Sequence, residues 1–251
     1  MNDKVNILGV KVDKVNVDEA VDRVFGMLDE GRPHSVFTPN SEIIFNAYKD
    51  SSFCRILNSA DLLTADGIGV VYASRILKNP ISERAAGYDI ACGLIDRIAE
   101  TGHRLYLFGG KPGIAEKAKR RLEARYPFIQ IVGTRNGYFK DSETRDIVND
   151  INGVGADIVF VCLGAPKQEK WIYENMNKTN ARLFMGIGGS LDVFAGEVER
   201  APDFWCRMGL EWFYRLVKEP WRFKRMLALP KFGFTVLFHG RKFIKKEERQ
   251  G

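Results

Sequence analysis

The stretch 157–169, DIVFVCLGAPKQE, opens with an apolar run from Ile158 to Leu163 and then breaks into Gly164-Ala165-Pro166-Lys167-Gln168-Glu169. A run this apolar, bounded by glycine and proline, is a strand buried on both faces, and such strands belong to parallel sheets with helices on either side. The same order recurs outward in both directions. On the N-terminal side, Arg104 to Phe108 runs into Gly109-Gly110-Lys111-Pro112-Gly113 and the helical pattern IAEKAKRRLEARY; the strand pattern of Phe128 to Gly133 and the helix DSETRDIVNDIN follow. On the C-terminal side, Arg182 to Met185 leads into Gly186-Ile187-Gly188-Gly189-Ser190. Farther upstream, His34 to Thr38 precedes Pro39 and the helix EIIFNAYKD, with Asn40 or Ser41 at its start. Leu62 to Thr64 delivers Ala65-Asp66-Gly67-Ile68-Gly69 before VVYASRIL, and Arg84 to Asp89 leads into DIACGLIDRIAETG. Val5 to Val12 reads as one strand, and Asn16, with Glu19 three residues on, caps the helix after it. Strands alternating with helices at this spacing predict an α/β fold: a mostly parallel, Rossmann-like sheet with helices on both faces. Helix patterns at Asp203–Lys218, Pro220–Ala228 and Lys231–Lys246 add a helical C-terminal appendage. The expected division is an α/β catalytic body over 1–195 and an appendage over 196–251.

Composition narrows the function. The 251 residues are 45% hydrophobic and 28% charged, as in an ordinary soluble globular protein. Cys54, Cys92, Cys162 and Cys206 stand far apart, with no CxxC or CxH pair, which argues against a disulfide framework or a zinc site. The opening MNDKVNILGVKVDKVNVDEA lacks a signal-peptide pattern and no apolar run approaches spanning length, so neither export nor a membrane span is expected. The net charge of +6 is confined to the end: from Gly196 onward 13 Lys and Arg face 7 Asp and Glu, and the rest of the chain balances. The same segment carries 11 of the 29 aromatic residues and three of the four Trp. A basic, aromatic segment on a neutral body calls for an anionic partner.

In open parallel sheets ligands bind beyond the carboxyl ends of the strands, so the loops there carry the candidates. Asp66, between Ala65 and Gly67 at a strand mouth, is placed to be a general base or a helix N-cap. Thr38 is either a site residue or a turn residue before Pro39. Gly109, Gly110 and Lys111 form a loop fit to cradle phosphate at a helix N-terminus or simply to turn the chain, and Gly188 and Gly189 have the same standing. The first loop departs from both GxGxxG and GxxxxGK[ST]. Gln168 can face a ligand with its two-sided amide or lie at the surface, and Arg84 can bind an anion or pair with Glu83 or Asp89. The three His match no triad spacing. No Asp-x-Asp occurs, so a sugar-nucleotide enzyme on this chain would hold its diphosphate with Arg, Lys and backbone amides instead of a metal. In the tail Arg215, Lys218, Arg222 and Arg225 share one helical face if the helix continues through Pro220. The interleaved Trp205, Trp212 and Trp221 favour a membrane interface. A nucleic-acid-binding protein would also carry basic and aromatic residues. An NAD-dependent oxidoreductase would use the Gly109 loop, but no acidic ribose ligand stands at 125–130.

TPNSE at Thr38, ADGIGV at Ala65, FGGKPG at Phe108, LGAPKQE at Leu163, GIGGSLDVFAG at Gly186, RAP at Arg200 and GLEWFYRLVKEPWRFKR at Gly209 resemble, in order, the WecG/TagA/CpsF glycosyltransferases. The ending is similar to the TagA-type branch of wall teichoic acid synthesis. The resemblance implies an inverting, metal-independent hexosyltransferase at the inner face of the bacterial membrane, cytoplasmic and peripheral, with no cofactor and no nucleic acid. The implied reaction moves N-acetylmannosamine from a UDP-sugar donor to a polyprenyl-diphosphate-linked GlcNAc acceptor in a β-1,4 linkage. Other members use UDP-N-acetylmannosaminuronic acid or UDP-hexoses for other surface polysaccharides. On this resemblance Asp66 is the general base and Thr38 positions sugar or acceptor. Asn40, Arg84 and Gln168 bind substrate, as do the Gly109-Gly110-Lys111 and Gly188-Gly189 loops. Arg215, Arg222 and Arg225 close over the site from the appendage, which also meets an anionic membrane surface. Self-association into a homo-oligomer is left open.

Overall fold

The computed structural model describes residues 4–218, 220, 223 and 227–248, with the side chains of 203, 207, 215, 241 and 244–248 outside that description. Two strands, β1 (Lys4–Ile7) and β2 (Val10–Asp13), pair as an antiparallel hairpin. Six more form one parallel sheet: β3 (His34–Phe37), β4 (Leu62–Leu63), β5 (Arg104–Gly109), β6 (Gln130–Arg135), β7 (Ile158–Cys162) and β8 (Leu183–Gly186), in the order β4-β3-β8-β7-β5-β6. β7 sits inside the sheet, and every one of its residues is buried. Its alternate side chains feed two separate cores, Val159 and Val161 on one face, Ile158 and Phe160 on the other, as the period of two requires.

The helices divide accordingly. α1 (Val17–Gly26), α5 (Gly87–Thr101), α6 (Ile114–Arg125) and α9 (Ser190–Phe194) cover one face. The other carries α2 (Ser41–Lys49), α3 (Ser51–Asn58), α4 (Ile68–Ile76), α7 (Thr144–Gly153), α8 (Lys167–Asn175) and the final helix α12 (Ala228–Glu248). The crossovers β3→β4, β6→β7 and β7→β8 step one way along the sheet over the second face, and β5→β6 steps the other way over the first. Right-handed crossovers demand this correlation of direction with face. α10 (Asp203–Arg207) and α11 (Glu211–Lys218) lie between α9 and α12 in the chain. α12 buries Phe232 and Val236 in the same core as Ile44 of α2 and Val70 of α4.

Two elements differ from the sequence reading, the hairpin and the tail helix, and one helix, over Ser51–Asn58, is absent from it. Residues 5–12 form a hairpin, not one strand, because Leu8 and Gly9 both take positive φ and Asn6 Oδ1 accepts from the Gly9 amide at 2.8 Å. The helix begun at Ser41 stops at Lys49 and a second begins at Ser51, because Asp50 is extended and its carboxylate accepts from the Ser52 and Phe53 amides. The tail helix expected over Asp203–Lys218 breaks into α10 and α11 around Gly209.

Candidate active site

The chain threads two clusters of polar residues onto the carboxyl edge of the sheet. The first lies beyond β3 and β4. Thr64 donates its hydroxyl to the Ala85 carbonyl at 2.8 Å, and the Ala85 amide donates to Ala65 O at 2.9 Å, so the 84–86 segment is fastened along the extension of β4 and Arg84 is carried to Asp66. The Asp66 amide donates to Pro39 O at 3.2 Å, which ties the β4 loop to the loop after β3. Asp66 is not the N-cap of α4. That position belongs to Gly67, whose φ of 105° suits glycine and which has no side chain to cap with. Asn40, by contrast, caps α2, its Oδ1 accepting from the Ile43 amide at 3.0 Å. Thr38 is half-buried against the start of α5, so close that a Cβ on Gly87 would come within 2.6 Å of its hydroxyl.

Arg84 has carboxylates around it. Its Nη1 donates to Glu211 Oε2 at 2.7 Å and its Nη2 stands 3.8 Å from Asp89 Oδ2. Burial opposes the Arg84 charge, but the Glu211 hydrogen bond and charge, with Asp89 and Asp66 behind it, outweigh this and hold the guanidinium above its ordinary value. Asp89 Oδ1 is bonded in turn to Arg200, whose guanidinium lies 4.7 Å from the centre of the Tyr88 ring. Cys206 is buried beside this chain, its Sγ 3.3 Å from Ala201 O and 3.9 Å from Glu211 Oε2. Sequence reasoning reached Asp89 as one partner for Arg84 and missed Glu211 and Arg200.

The second cluster surrounds a cleft of about 760 Å³ beyond β5, β6, β7 and β8. Gly110 and Lys111 line one side and Gly188 and Gly189 another. The loop after β6 contributes Tyr138, Phe139 and Lys140, and Glu143, Lys167 and Asp192 complete the polar rim. Gly109 has φ 136°, and a Cβ there would overlap the Cys162 carbonyl. Only glycine lets β5 and β7 end this close together, and the Gly110 amide then donates to Cys162 O at 3.1 Å. Lys167 Nζ donates to Gly137 O at 3.2 Å and lies 4.0 Å from the centre of the Phe139 ring.

Gln168 is 4% exposed and lies behind the cleft, not on the surface. Its Oε1 accepts from the Gly188 amide at 3.1 Å, and its Nε2 donates to Glu169 Oε1 at 2.9 Å. Glu169 is itself buried, its Oε2 without a hydrogen-bond partner among the described residues, and burial pushes its carboxyl above the ordinary range while the hydrogen bonds from its own backbone amide and from Gln168 pull the other way.

The structure thus gathers Thr38, Asn40, Asp66 and Arg84 at one end of the edge and Gly110, Lys111, Gly188 and Gly189 toward the other. At roughly 4.8 Å per strand, β4 and β5 are about 19 Å apart. The β8 loop with Gly188 lies between them, one strand from β3. Arg222, Arg225 and Trp221 lie outside the described residues, as does the side chain of Arg215 on α11. Trp205 packs with Phe213 and Tyr214, joining α10 to α11, whereas Phe204, Met208 and Val217 there, and Phe234, Leu237 and Phe238 on α12, are exposed. Among the described residues no three His, Cys, Asp or Glu side chains group as a metal site, and no helix is long and apolar enough to cross a membrane.

The sequence profile of the Glycosyl transferase WecG/TagA/CpsF family matches residues 5–246. A Bacillus subtilis (strain 168) protein named N-acetylglucosaminyldiphosphoundecaprenol N-acetyl-beta-D-mannosaminyltransferase is 40% identical over 202 residues, 80% of this chain and 78% of that one. A protein of the same name from Bacillus spizizenii (strain ATCC 23059 / NRRL B-14472 / W23) is 38% identical over 218 residues, 87% of this chain and 84% of that one.

Proposed function

The chain belongs to the WecG/TagA/CpsF family of glycosyltransferases, and we propose that it transfers N-acetylmannosamine from UDP-N-acetylmannosamine to GlcNAc-diphosphoundecaprenol, building the linkage unit of wall teichoic acid. The observation that carries the reading is the division of one sheet edge into a cleft lined by three lysines and two glycine loops and a cluster around Asp66 and Arg84, with the β8 loop between them. An inverting transfer needs this division. A donor diphosphate must sit among cations and amides, and an acceptor hydroxyl must meet a base on the opposite side of the sugar carbon.

In this reading the donor occupies the cleft, its diphosphate against the Gly110 and Gly188 loops and the Lys111, Lys140 and Lys167 ammonium groups. The GlcNAc hydroxyl approaches from the β3–β4 side. Asp66 takes the hydroxyl proton as the oxygen attacks the anomeric carbon; the bond from that carbon to the diphosphate breaks, and UDP leaves with the electron pair. Thr38 orients the reacting sugar, and Arg84 receives the acceptor's diphosphate. Gln168 acts through the Gly188 loop that it holds. No metal and no cofactor takes part. The acceptor's lipid stays in the bilayer, and the exposed apolar residues of α10, α11 and α12, among basic neighbours, bring the protein to the inner face of the membrane as a peripheral enzyme.

The test is a panel of UDP-sugars with a short-chain GlcNAc diphospholipid, assayed in excess EDTA. Turnover with UDP-N-acetylmannosamine and a β-linked disaccharide product is the expected result. Preference for another UDP-sugar would move the protein to another surface polysaccharide, and activity that needs Mg²⁺ or Mn²⁺ would overturn the metal-free mechanism.

A further inference from the structure

One alternating chain of charges fastens the segment 200–211, which carries α10 and leads into α11, to the body at both of its ends. At its start Arg200 bonds to Asp89 in the first turn of α5 and covers the Tyr88 ring. At the start of α11 Glu211 bonds to Arg84. Arg84 and Asp89 meet in the middle, so the order is Glu211, Arg84, Asp89, Arg200. The links are unequal. Arg84 stands at hydrogen-bond distance from Glu211, 2.7 Å, but 3.8 Å from Asp89 Oδ2, while the other Asp89 oxygen, Oδ1, is bonded to Arg200. A charge-assisted hydrogen bond outweighs a Coulomb contact more than an ångström longer, so Glu211 and not Asp89 sets the orientation of the Arg84 fork. The side chains of Arg84 and Glu211 are 16% and 19% exposed, which shelters the pair from most of the screening that weakens surface ion pairs.

The location gives the chain its consequence. Arg84 also feels the charge of Asp66. While Glu211 is docked, the guanidinium has a strong partner on α11, and the stretch that carries Arg84 is tied to the Asp66 loop by the Ala85 amide, which donates to Ala65 O at 2.9 Å. With the segment lifted, the same guanidinium loses its nearest anion. We propose that Glu211 and Arg200 are positioning residues that clasp the α10–α11 segment to the body and, through Arg84, make the geometry around Asp66 depend on that segment being seated. The consequence for turnover rests on Asp66 being the base; the clasp itself does not.

Cys206 supplies a readout independent of activity. It is buried inside the clasp, while Cys162 is buried in the sheet and Cys54 and Cys92 are half-buried on the body. Glu211→Gln, Arg200→Gln and the double variant would be compared with wild type by alkylation mapped to each cysteine by peptide mass spectrometry, and by steady-state kinetics. The expected result is faster labelling of Cys206 alone in all three. kcat falls by about tenfold in each single variant, since each loses one charge-assisted bond. The donor KM stays within about twofold, because the donor cleft is built from other loops, and the double variant is no slower than the worse single one, since opening either end opens the clasp. Losses that multiply, a Cys206 as protected as in wild type, or a Cys162 that becomes reactive alongside Cys206 would each overturn the clasp. Asp66→Asn assayed in parallel separates the two ideas: full turnover there removes the base, while selective Cys206 labelling would still report the clasp.

Discussion

At the scale of single residues the site turns on which polar groups the fold has already committed. Asn40 is committed to α2, and Gln168 has both sides of its amide engaged. Asp66 sits one residue ahead of the α4 cap, a position held by Gly67. Asp66→Asn keeps the shape and removes the basicity, so it is expected to fold normally and lose roughly 10²- to 10⁴-fold in kcat, the usual worth of a positioned general base; a circular dichroism spectrum beside the rate measurement separates the two effects. Glu169 leads to a prediction about stability. Burial raises its folded carboxyl above the ordinary 4.5, with the Gln168 bond only partly opposing. A raised folded value means that the native state holds the proton more tightly than the unfolded chain does. The contribution is therefore fully present below pH 4.5 and lost as the pH climbs through the folded value. Glu169→Gln, which cannot ionise, is expected to escape that loss: urea midpoints of variant and wild type should converge near pH 4 and separate in the variant's favour at neutral pH.

At the scale of elements, what each loop inherits from its strand decides its part. β5 and β7 end side by side because Gly109 has no Cβ, and that meeting point lines up the Gly110, Lys111 and Lys167 side of the cleft. Replacing Lys111 or Lys167 by Ala should raise the donor KM by about tenfold, one charge-assisted contact each, and leave kcat nearly unchanged if the contact is equal in ground and transition states. An unchanged KM for UDP-N-acetylmannosamine would remove that lysine from the diphosphate. The strands behind these loops were legible because their apolar runs are long and their ends are marked by glycine and proline. The hairpin was not, because a strand reading of Val5 to Val12 passes over the left-handed pair Leu8 and Gly9 without a signal. The helix reading EIIFNAYKD ended at Asp50, where α2 stops, but α3 was not read, because one Asp, exposed and short, both stops one helix and starts the next. Loops after strands pointed to Asp66, Thr38 and Gly109 without any knowledge of contacts. Glu211 and Arg200 could not be found that way: they meet Arg84 and Asp89 across 127 and 111 residues, and nothing in the local sequence of either partner encodes the other.

At the scale of the whole molecule, α12 is amphipathic twice over. One side inserts Phe232 and Val236 into the core with α2 and α4, and Phe243 reaches the Tyr48 ring. The opposite side turns Phe234, Leu237 and Phe238 outward, a placement that costs apolar exposure in water and is repaid only against another apolar phase. Removing the chain from Gly196 onward would take core and surface together, so it cannot separate anchoring from folding. Substituting the outward three alone can. Full burial of a Phe or Leu side chain contributes about 1.5–3 kcal/mol, and even partial insertion of three makes a Phe234→Ser/Leu237→Ser/Phe238→Ser variant bind anionic liposomes at least about tenfold more weakly. None of the three touches the cleft, Asp66 or the clasp, so turnover of a water-soluble acceptor analogue should remain at the wild-type level while turnover of a bilayer-embedded acceptor falls with binding. If the variant sediments with liposomes as wild type does, the membrane contact lies elsewhere on the appendage. If the soluble acceptor is also lost, the outward face of α12 serves the fold or the site instead of the bilayer.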